Sequence, residues 1–441
     1  LGTFLANLIN TFLKTYKIKS PLVLDKNLLT SSLAISAYRD DFEFDVDFKV
    51  FENLSQTSGD RYEFLYPAYN LLKRFDNNSL NGDFSFRSNG FIKNYDTNVY
   101  ETVVINDLIF NSDYKISNSG FKNDYKVLIK NVNTDATNSK EYKGTIDNKL
   151  ATIFEYNSSY PLIKETLNYN DTLKPIISLK YSPNKTKNMR DKNRRINSNN
   201  IFSIDRISAN DSVEGGASLT YGMEFNKTNK SDNEIFVAKI ANILREDYDE
   251  NLPRNNNIGS KTSDFIGAFN YSPNNNIKLN YNFSLDSNLE NKNYELLGSE
   301  FKVNNFVTTF EYLNENDTSI SQSYLTNKTV FNFDNSQNLL FRTRMNKKTR
   351  LTEFYNLMYQ YSNDCLVAAI EYNKDYYDDN LTTDQPSRLS FLLTRLYDWL
   401  NHDEAAFVRP KDPRQFLDRL RFHQQVDGPE AYGISFDDLN G

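Results

Sequence analysis

The sequence of 441 residues is poor in cysteine, tryptophan and histidine, with one Cys, one Trp and two His. A single cysteine excludes a framework of internal disulfide bonds and leaves either a free thiol or a bond to a partner outside this chain. That cysteine, Cys365, has no histidine near it in sequence, so a Cys–His catalytic pair is not predicted. We also find no phosphate-binding loop, dinucleotide-binding fingerprint or metal-ligand spacing, and therefore predict no enzyme activity, no cofactor and no metal.

Long hydrophobic runs are absent as well. No segment approaches the ~18 to 20 consecutive apolar residues of a membrane-spanning helix, which excludes a helical membrane protein. The net charge is −7 and the charges are interspersed, so no general attraction to nucleic acid is expected. The first residues, LGTFLANLIN, carry no initiator Met, basic region or cleavage site, and we expect the chain to be a fragment of a longer protein.

Aromatic residues, in contrast, are abundant: 32 Phe and 29 Tyr stand in a sequence that is only 39% hydrophobic. Disordered chains rarely contain so many aromatics, so the body of the chain is expected to fold. Apolar and polar residues alternate, most clearly in SLAISAY (32–38) and DFEFDVDFKVF (41–51). This pattern predicts an all-β fold with about 18 to 20 strands before residue 380.

The connections between these strands differ in length. Asn274–Asn276 and Asn304–Asn305 each separate two alternating segments and predict tight hairpins. The stretches 131–148 and 184–200 are polar and predict long loops. Such connections, with Phe and Tyr concentrated near strand ends, favour a large antiparallel up-and-down transmembrane β-barrel. A soluble β-sandwich or β-solenoid is the alternative.

The composition changes sharply near residue 380. Asn is frequent in residues 1–380, whereas residues 381–441 contain two Asn, and the single Trp and both His fall there. We expect 381–441 to be a separate, possibly foreign, appendage with no role in the function of the body. Its second half predicts a short helix over 412–422, with Pro413 in the first turn. Its first half predicts another helix, because apolar residues recur at helical spacing at Leu389, Leu392, Leu393, Leu396, Trp399 and Leu400.

One segment of the body, KTKNMRDKNRRI (185–196), is strongly basic, with six basic residues and one acid. It lacks the interleaved aromatics of a single-stranded nucleic-acid binder. The prediction is a solvated extracellular loop, and the alternative is a contact with phosphorylated lipid headgroups. The residues concerned are Lys185, Lys187, Arg190, Lys192, Arg194 and Arg195. The EGG at 214–216 follows a turn-like segment and is predicted to be a loop and not a phosphate- or dinucleotide-binding motif.

Four segments, in the same order along the chain, resemble one known family. They are TFLKTYKIKSPL (11–22), SGDRYEFLYPAYNLLK (58–73), NNIFSIDRISANDSVEGGASLTYGMEF (199–225) and YQYSNDCLVAAIEYNKDYY (359–377). Together they resemble LptD, the outer-membrane lipopolysaccharide-assembly family also called organic solvent tolerance protein, in its alphaproteobacterial type. The similarity extends over essentially all of residues 10–380. The residues that match family motifs are Arg61, Tyr62, Arg206, Asp211, Glu214, Gly215, Gly216 and Tyr221.

This resemblance implies a barrel of about 26 strands in the cell outer membrane. It implies a periplasmic jellyroll that receives lipopolysaccharide from an LptA-like bridge, and an LptE-like lipoprotein that plugs the lumen. The lipid would leave through a seam between the first and last strands while the sugar crosses the lumen, without covalent chemistry. The jellyroll, the first strands and the closing strand are not recognised in this chain, so we expect either a curved open sheet or a forced smaller closure, with exposed edge groups at both ends.

The resemblance also gives Cys365 a role. Ser362, Asn363 and Asp364 are predicted to form a short turn just before it, which places the thiol at the periplasmic rim of a barrel. In the family, cysteine at this place forms a disulfide with the N-terminal periplasmic domain. Many members carry two adjacent cysteines, but here Leu366 follows, so at most one such bond is possible. In this chain we expect a reduced thiol.

Three functions are compatible with the sequence. The first is the barrel component of the machinery that inserts lipopolysaccharide into the outer leaflet. The second is a passive outer-membrane porin or channel, for which a self-contained chain without cysteine would be expected. The third is a soluble β-rich surface adhesin.

Overall fold

The computed structural model describes residues 28–54, 56, 59–77, 80–316, 321–363, 367–375 and 388–394. These residues form one antiparallel sheet of 21 strands. The strands are β1 (Leu28–Arg39), β2 (Phe42–Asn53), β3 (Tyr62–Asn77), β4 (Gly82–Tyr95), β5 (Val99–Ser112), β6 (Lys115–Ile116), β7 (Lys122–Thr137), β8 (Asp147–Ser159), β9 (Leu162–Glu165), β10 (Tyr169–Ser182), β11 (Gly216–Asn229), β12 (Glu234–Arg245), β13 (Phe265–Asn274), β14 (Ile277–Leu285), β15 (Lys292–Val303), β16 (Phe306–Asn316), β17 (Ser321–Asn332), β18 (Gln337–Asn346), β19 (Leu351–Ser362), β20 (Val367–Asp375) and β21 (Arg388–Thr394).

The strands follow one another up and down through the sheet, as predicted. Each long strand pairs with the next long strand in sequence, from β1 with β2 to β20 with β21. The short strands β6 and β9 add to β7 and β10, so that β5 pairs with β7 and β8 with β10. Within the described part of the chain no pairing joins β1 to β21. The all-β, antiparallel fold class and the number of strands before residue 380 are therefore confirmed.

Both predicted hairpins are present, with their turns at the asparagines. β13 and β14 are joined at residues 275–276, and β15 and β16 at residues 304–305. Asn304 has a φ of +51°, in the left-handed region that asparagine tolerates better than most residues. Local turn chemistry thus sets the register, which places Val303 opposite Phe306.

Two expectations about secondary structure are wrong. Arg388–Thr394 form a strand along the edge of β20, not the start of a helix, because a short apolar run fits either periodicity and the edge of β20 offers hydrogen-bonding partners. Residues 395–441, with the rest of that predicted helix and the one over 412–422, lie outside the described residues. The stretch 131–148 is also not all loop, since β7 continues to Thr137 and β8 begins at Asp147.

The polar composition of 131–148 did not prevent strand formation because its side chains bond to one another across the sheet. The Asn131 side chain of β7 donates to Asn148 of β8 at 2.9 Å, and it also accepts a hydrogen bond from Asn133 of its own strand at 2.6 Å. Cross-strand pairs of this kind stabilise a sheet without apolar contact. Polarity alone was therefore a poor indicator of a loop.

The sheet has one apolar exposed face, here called the outer face. Across β8, β10 and β11 this face carries Tyr156, Leu179 and Leu219 directly opposite one another. Ile177 and Tyr181 on the same face are about half exposed, at 50% and 53%. So large an apolar surface fits contact with lipid, as the sequence predicts. None of the helical segments in the described part of the chain is long and apolar enough to cross a membrane.

The opposite, inner face is covered by two long connections at the same end of the sheet. They are residues 183–215, between β10 and β11, and residues 246–264, between β12 and β13. We call them together the loop layer. Their apolar residues pack with inner-face residues of β12 and β13 in a buried cluster. Its buried members are Met189, Ile196, Ile201, Ile207, Ala209, Ala241, Ile243, Leu252, Ile258 and Ile266.

The assignment of the outer face predicts the effect of a charge placed there. Ile177→Arg puts a guanidinium near the middle of β10 on the apolar face, and we expect it to destabilise the protein in a bilayer by about 2–4 kcal/mol. Urea unfolding in lipid vesicles measures this difference. Leu167→Arg, in a connection where Leu167 is 95% exposed, is the matched control and should change stability little. Equal effects of the two substitutions would contradict the assignment.

Candidate functional site in the loop layer

A buried carboxylate, Glu214, lies between two guanidinium groups at the end of the first loop. Arg206 donates to it twice, from Nε to Oε2 at 2.7 Å and from Nη2 to Oε1 at 2.5 Å. Arg245, at the end of β12, donates from Nη1 to the same Oε1. The three residues are between 2% and 7% exposed. The Arg206–Glu214 pair is bidentate, which is the strongest geometry for a carboxylate and an arginine.

Other donors of the two arginines bond the loop to the sheet. Arg206 donates from Nη1 to Thr220 Oγ1 at 2.7 Å and from Nη2 to Ser218 Oγ at 2.9 Å, both on the inner face of β11. Arg245 donates from Nη2 to the carbonyl of Gly215 at 2.5 Å. These hydrogen bonds offset much of the cost of burying the ions, and among the donors of the two arginines Arg245 Nε is left without a partner in the described part of the chain. The cluster therefore ties residues 206–215 to β11 and β12.

The two glycines after Glu214 are required by the close approach of the backbone. A Cβ on Gly215 would lie 2.2 Å from the carbonyl oxygen of Asn184, and Gly216 has a φ of +79°. The Gly215 amide donates to Thr186 Oγ1 at 3.0 Å, which joins the two ends of the first loop. As predicted, Glu214 and Gly215 lie in a loop, and Gly216 begins β11; what the sequence did not show is that specific contacts fix each of the three residues.

Further buried charges lie beside this cluster on the inner face. Lys180 and Lys126 share the carboxylate of Glu155, at 3.6 Å and 3.2 Å. Lys130 is 3.0 Å from Asp107. The first loop, residues 183–215, bonds to both groups of charges. Lys180 donates to the carbonyl of residue 203 at 2.7 Å, and Lys130 donates to the carbonyl of residue 210 at 3.1 Å. Sequence reasoning missed these residues, although alternation along β5, β7, β8 and β10 places them on the polar face.

The environment of Glu214 controls its ionisation. Burial alone would raise the pKa of this carboxyl, but the positive charges of Arg206, Lys180 and Arg245, together with the hydrogen bonds from Arg206, outweigh it and lower the pKa to about 2. Glu214 therefore carries a negative charge at any physiological pH. Its charge neutralises part of the positive charge that the two arginines bring into the protein interior.

The basic run at 185–196 is a loop, as predicted, but it is only partly solvated, because several of its side chains bond to the sheet and to the rest of the loop layer. Arg195 donates to Glu315 of β16 at 2.5 Å and lies over the Tyr294 ring of β15 at 4.3 Å. Lys192 donates to Glu141, between β7 and β8, at 2.9 Å. The run was misread because apolar Met189 and Ile196, which anchor it in the core, are few among the charges.

These two ion pairs also show how far the loop layer extends. Glu141 follows β7 and Glu315 lies in β16, so the two residues flank β10–β13, the strands that the two loops connect. The first loop therefore bridges the inner face from the β7–β8 connection to β16. Two more of the basic residues bind within the layer, because Lys187 pairs with Asp211 and Arg194 donates to the carbonyl of Ile207 at 3.1 Å. Lys185 and Arg190 are exposed.

The second loop holds the first in place through asparagine side chains. Asn256 accepts a hydrogen bond from the Ile196 amide at 2.8 Å, and Asn255 accepts one from the Arg194 amide at 3.1 Å. Asn256 also donates to Ser284 of β14 at 3.0 Å. Both asparagines are almost fully buried. The loop layer is therefore one hydrogen-bonded unit, and not two independent loops.

The other residues singled out from the sequence lie elsewhere. Tyr221 points from β11 to the outer face and is 36% exposed. Arg61 and Tyr62 both contact Glu52, at 2.5 Å and 3.1 Å, on the β2–β3 side of the sheet. Cys365 lies outside the described residues. No group of three or more His, Cys, Asp or Glu that could hold a metal occurs in the part of the chain that the structure describes.

The sequence matches the family described as LptD, LPS transport system D, over residues 10–345. The chain belongs to the LptD family. As a member, it is an outer-membrane β-barrel protein of a transport and assembly family and not of an enzyme family. The Arg206–Glu214 pair and the glycines that follow it lie within the matched region.

Solved structures similar to this LptD-family chain include receptors for ferric compounds and a porin. A mutant of the ferric enterobactin receptor PfeA from Pseudomonas aeruginosa is 8% identical, with a TM-score of 0.37, 83% of this chain covered and 69% of that chain. The ferric preacinetobactin receptor BauA from Acinetobacter baumannii is 9% identical, with a TM-score of 0.37 and coverage of 83% and 71%.

A short stretch of the LptD-family chain is similar to a different protein. Over 48 residues it is 58% identical to the homoserine kinase of Parvibaculum lavamentivorans, and over 47 residues 62% identical to that of Xanthobacter autotrophicus. Each match covers 11% of this chain and 15% of the kinase. The chain thus spans about 15% of the length of these curated relatives.

The buried cluster predicts a strong effect when its carboxylate is removed. Glu214→Ala leaves two buried guanidinium groups without their counter-ion, which we expect to cost about 3–5 kcal/mol and to release residues 183–215 from the sheet. Limited trypsin digestion should then cleave the basic run many times faster. The matched control is Glu141→Ala, which removes an exposed partner worth about 0–1 kcal/mol. Equal rates of trypsin cleavage in the two variants would contradict the role of the Arg206–Glu214–Arg245 cluster in holding the loop on the sheet.

The ionisation of Glu214 predicts the pH at which the loop layer detaches. Its pKa is about 2 when folded and roughly 4.3 when unfolded. A pKa lowered by folding contributes stability that is fully present above about pH 4.3 and lost as the pH falls towards 2. Hydrogen exchange of the amides in 206–215 should therefore remain slow at pH 4 and accelerate near pH 2. Loss of protection already near pH 5 would contradict this assignment.

Proposed function

We propose that the chain is the barrel component of the outer-membrane machinery that inserts lipopolysaccharide into the outer leaflet, without enzymatic chemistry. Membership of the LptD family supports the transport role. The observation that carries the proposal is the loop layer, which bridges the inner face between Glu141 and Glu315. A passive porin needs an open, water-filled lumen. A sheet whose inner face is covered by bonded loops fits controlled passage of a substrate better.

The finer assignments follow from the resemblance of the sequence to this family. We propose an LptE-like lipoprotein as the partner within the barrel, and an LptA-like periplasmic bridge as the source of lipopolysaccharide, reached through a jellyroll. The same resemblance supports an alphaproteobacterial type of LptD. Cys365 would form a disulfide with the N-terminal periplasmic domain when that domain is present. Contact with lipid phosphates is proposed only for the exposed Lys185 and Arg190.

The two-part organisation of the chain is also a proposal. Residues 381–441 differ from the body in composition, and a kinase-like stretch of 48 residues would fit within them. We propose that this appendage is of foreign origin and has no role in lipopolysaccharide transport. A fragment with 15% of the length of a kinase does not support a kinase activity.

Photo-crosslinking in cells that make lipopolysaccharide tests the proposed function. A benzophenone amino acid is placed at Ile176, on the inner face of β10, or at the adjacent Ile177, on the outer face. We expect lipopolysaccharide adducts from position 176 because the substrate passes the inner face. These adducts should disappear within a chase after new lipopolysaccharide synthesis is stopped.

Position 177 is the matched control, since it meets lipopolysaccharide already resident in the membrane. Its adducts should persist through the same chase. A passive channel predicts no adducts from position 176 under any condition, and that result would overturn the proposal. Adducts at 176 that persist as long as those at 177 would also overturn it.

A further inference from the structure

A cavity lies under the loop layer, between residues 198–202 and the inner faces of β7, β8, β10, β11 and β12. Its volume is about 360 Å³, which is within the range of roughly 300–1,000 Å³ of small-molecule sites. The cavity is apart from the Arg206–Glu214–Arg245 cluster, none of whose residues line it. It is therefore a separate candidate for ligand binding.

The wall of the cavity contains one carboxylate between two ammonium groups. Lys174, Glu224 and Lys239 stand directly opposite one another on β10, β11 and β12. The Nζ atoms of Lys174 and Lys239 are 3.6 Å and 3.3 Å from the Glu224 carboxylate. One negative charge cannot neutralise both. The three side chains are 29–39% exposed, so the excess positive charge is accessible from the cavity.

The lysines across the cavity add to this excess. Lys122 lies 3.6 Å from the centroid of the Tyr114 ring, an aromatic contact that leaves its charge in place. Lys126 pairs with Glu155, but that carboxylate is shared with Lys180. Asp124, the other acid of the wall, accepts a hydrogen bond from the Asn157 amide at 2.9 Å. The wall as a whole is therefore positive.

The roof of the cavity has the polar and aromatic groups that suit a sugar. Ser198 and Asn199 present a hydroxyl and an amide, and Phe202 presents an apolar ring. The Phe202 ring lies over Gly222 of β11, where a Cβ would approach it to 3.0 Å. A sugar ring offers hydroxyls for the first two and a C–H face for the third. Lysine ammonium groups bind phosphate or carboxylate groups through charge-assisted hydrogen bonds.

We propose that this cavity binds an anionic sugar, one that carries a phosphate or a carboxylate, with Lys174 and Lys239 as the anion-binding residues. The proposal rests on the proposed function, because it assigns a binding step to the saccharide that passes the inner face. An excess positive charge beneath the loop layer would hold the saccharide there for part of its passage. The Glu224 carboxylate competes with the ligand for the two ammonium groups and keeps binding reversible.

The test is isothermal titration of the purified full chain in detergent with glucose 6-phosphate, glucose and inorganic phosphate. We expect glucose 6-phosphate to bind at least about tenfold more tightly than either of the others, because it alone supplies both the charge and the sugar ring. The double variant K174Q/K239Q should weaken its binding at least about tenfold. The single variant Glu224→Gln should tighten it about threefold or more, since the competing carboxylate is removed.

The control is Lys278→Gln, which removes an inner-face lysine paired one-to-one with Glu300 at 3.1 Å outside the cavity. It should leave binding unchanged. Tighter binding by Glu224→Gln cannot come from a folding defect, so that variant keeps the test valid if the double variant folds poorly. Binding of inorganic phosphate as tight as that of glucose 6-phosphate would overturn the sugar site, as would unchanged binding in both cavity variants. Ile176 lines the same cavity, but transient crosslinking there requires only that lipopolysaccharide passes, so adducts at Ile176 without tight binding of glucose 6-phosphate would overturn this site and leave the transport function standing.

Discussion

The bonding of Glu214 to two buried arginines is the interaction on which the inner face of this protein depends. Long connections such as 183–215 and 246–264 gain nothing from the hydrogen-bond ladder of the sheet, and their ordering has an entropic cost. The buried cluster offsets that cost at one point, where Arg206 and Arg245 reach the carboxylate from the loop and from β12. A buried ion pair is weak evidence for stability, but it accepts only one geometry. It thereby fixes where the loop layer lies.

The rest of the loop layer follows from that fixed point. Apolar packing against β12 and β13, the asparagine bonds between the two loops and the ion pairs at Glu141 and Glu315 all require the first loop to be seated on β11. The layer in turn forms the roof of the cavity that contains Lys174 and Lys239. In an LptD-family barrel this arrangement places a positive, sugar-sized space on the inner face. The position of residues 183–215 thus determines both the packing of the inner face and the cavity in which we propose that a sugar binds.

The fold was largely predictable because it is encoded locally. Alternation and asparagine turns identify hairpins such as β13–β14 without any long-range information. Arg206, Asp211 and Glu214 could be singled out only by resemblance. Arg245, the second arginine bound to Glu214, could not be found at all, since the pairing joins residues 31 apart across the β11–β12 hairpin. Two of the mistakes, those at 131–148 and 185–196, have a common cause. Polar strands stabilised by side-chain bonds, as at Asn131, and basic loops anchored by a few apolar residues, as at Ile196, resemble solvated loops in sequence.

The central claim is that the loop layer, held by Glu214, closes the inner face to free passage. Ion conductance in planar lipid bilayers tests it most directly, with the unmodified protein and the Glu214→Ala variant compared at equal amounts of inserted protein. The account predicts little or no steady conductance for the unmodified protein and frequent open-channel events for the variant. A large, steady conductance of the unmodified protein that Glu214→Ala leaves unchanged would contradict it.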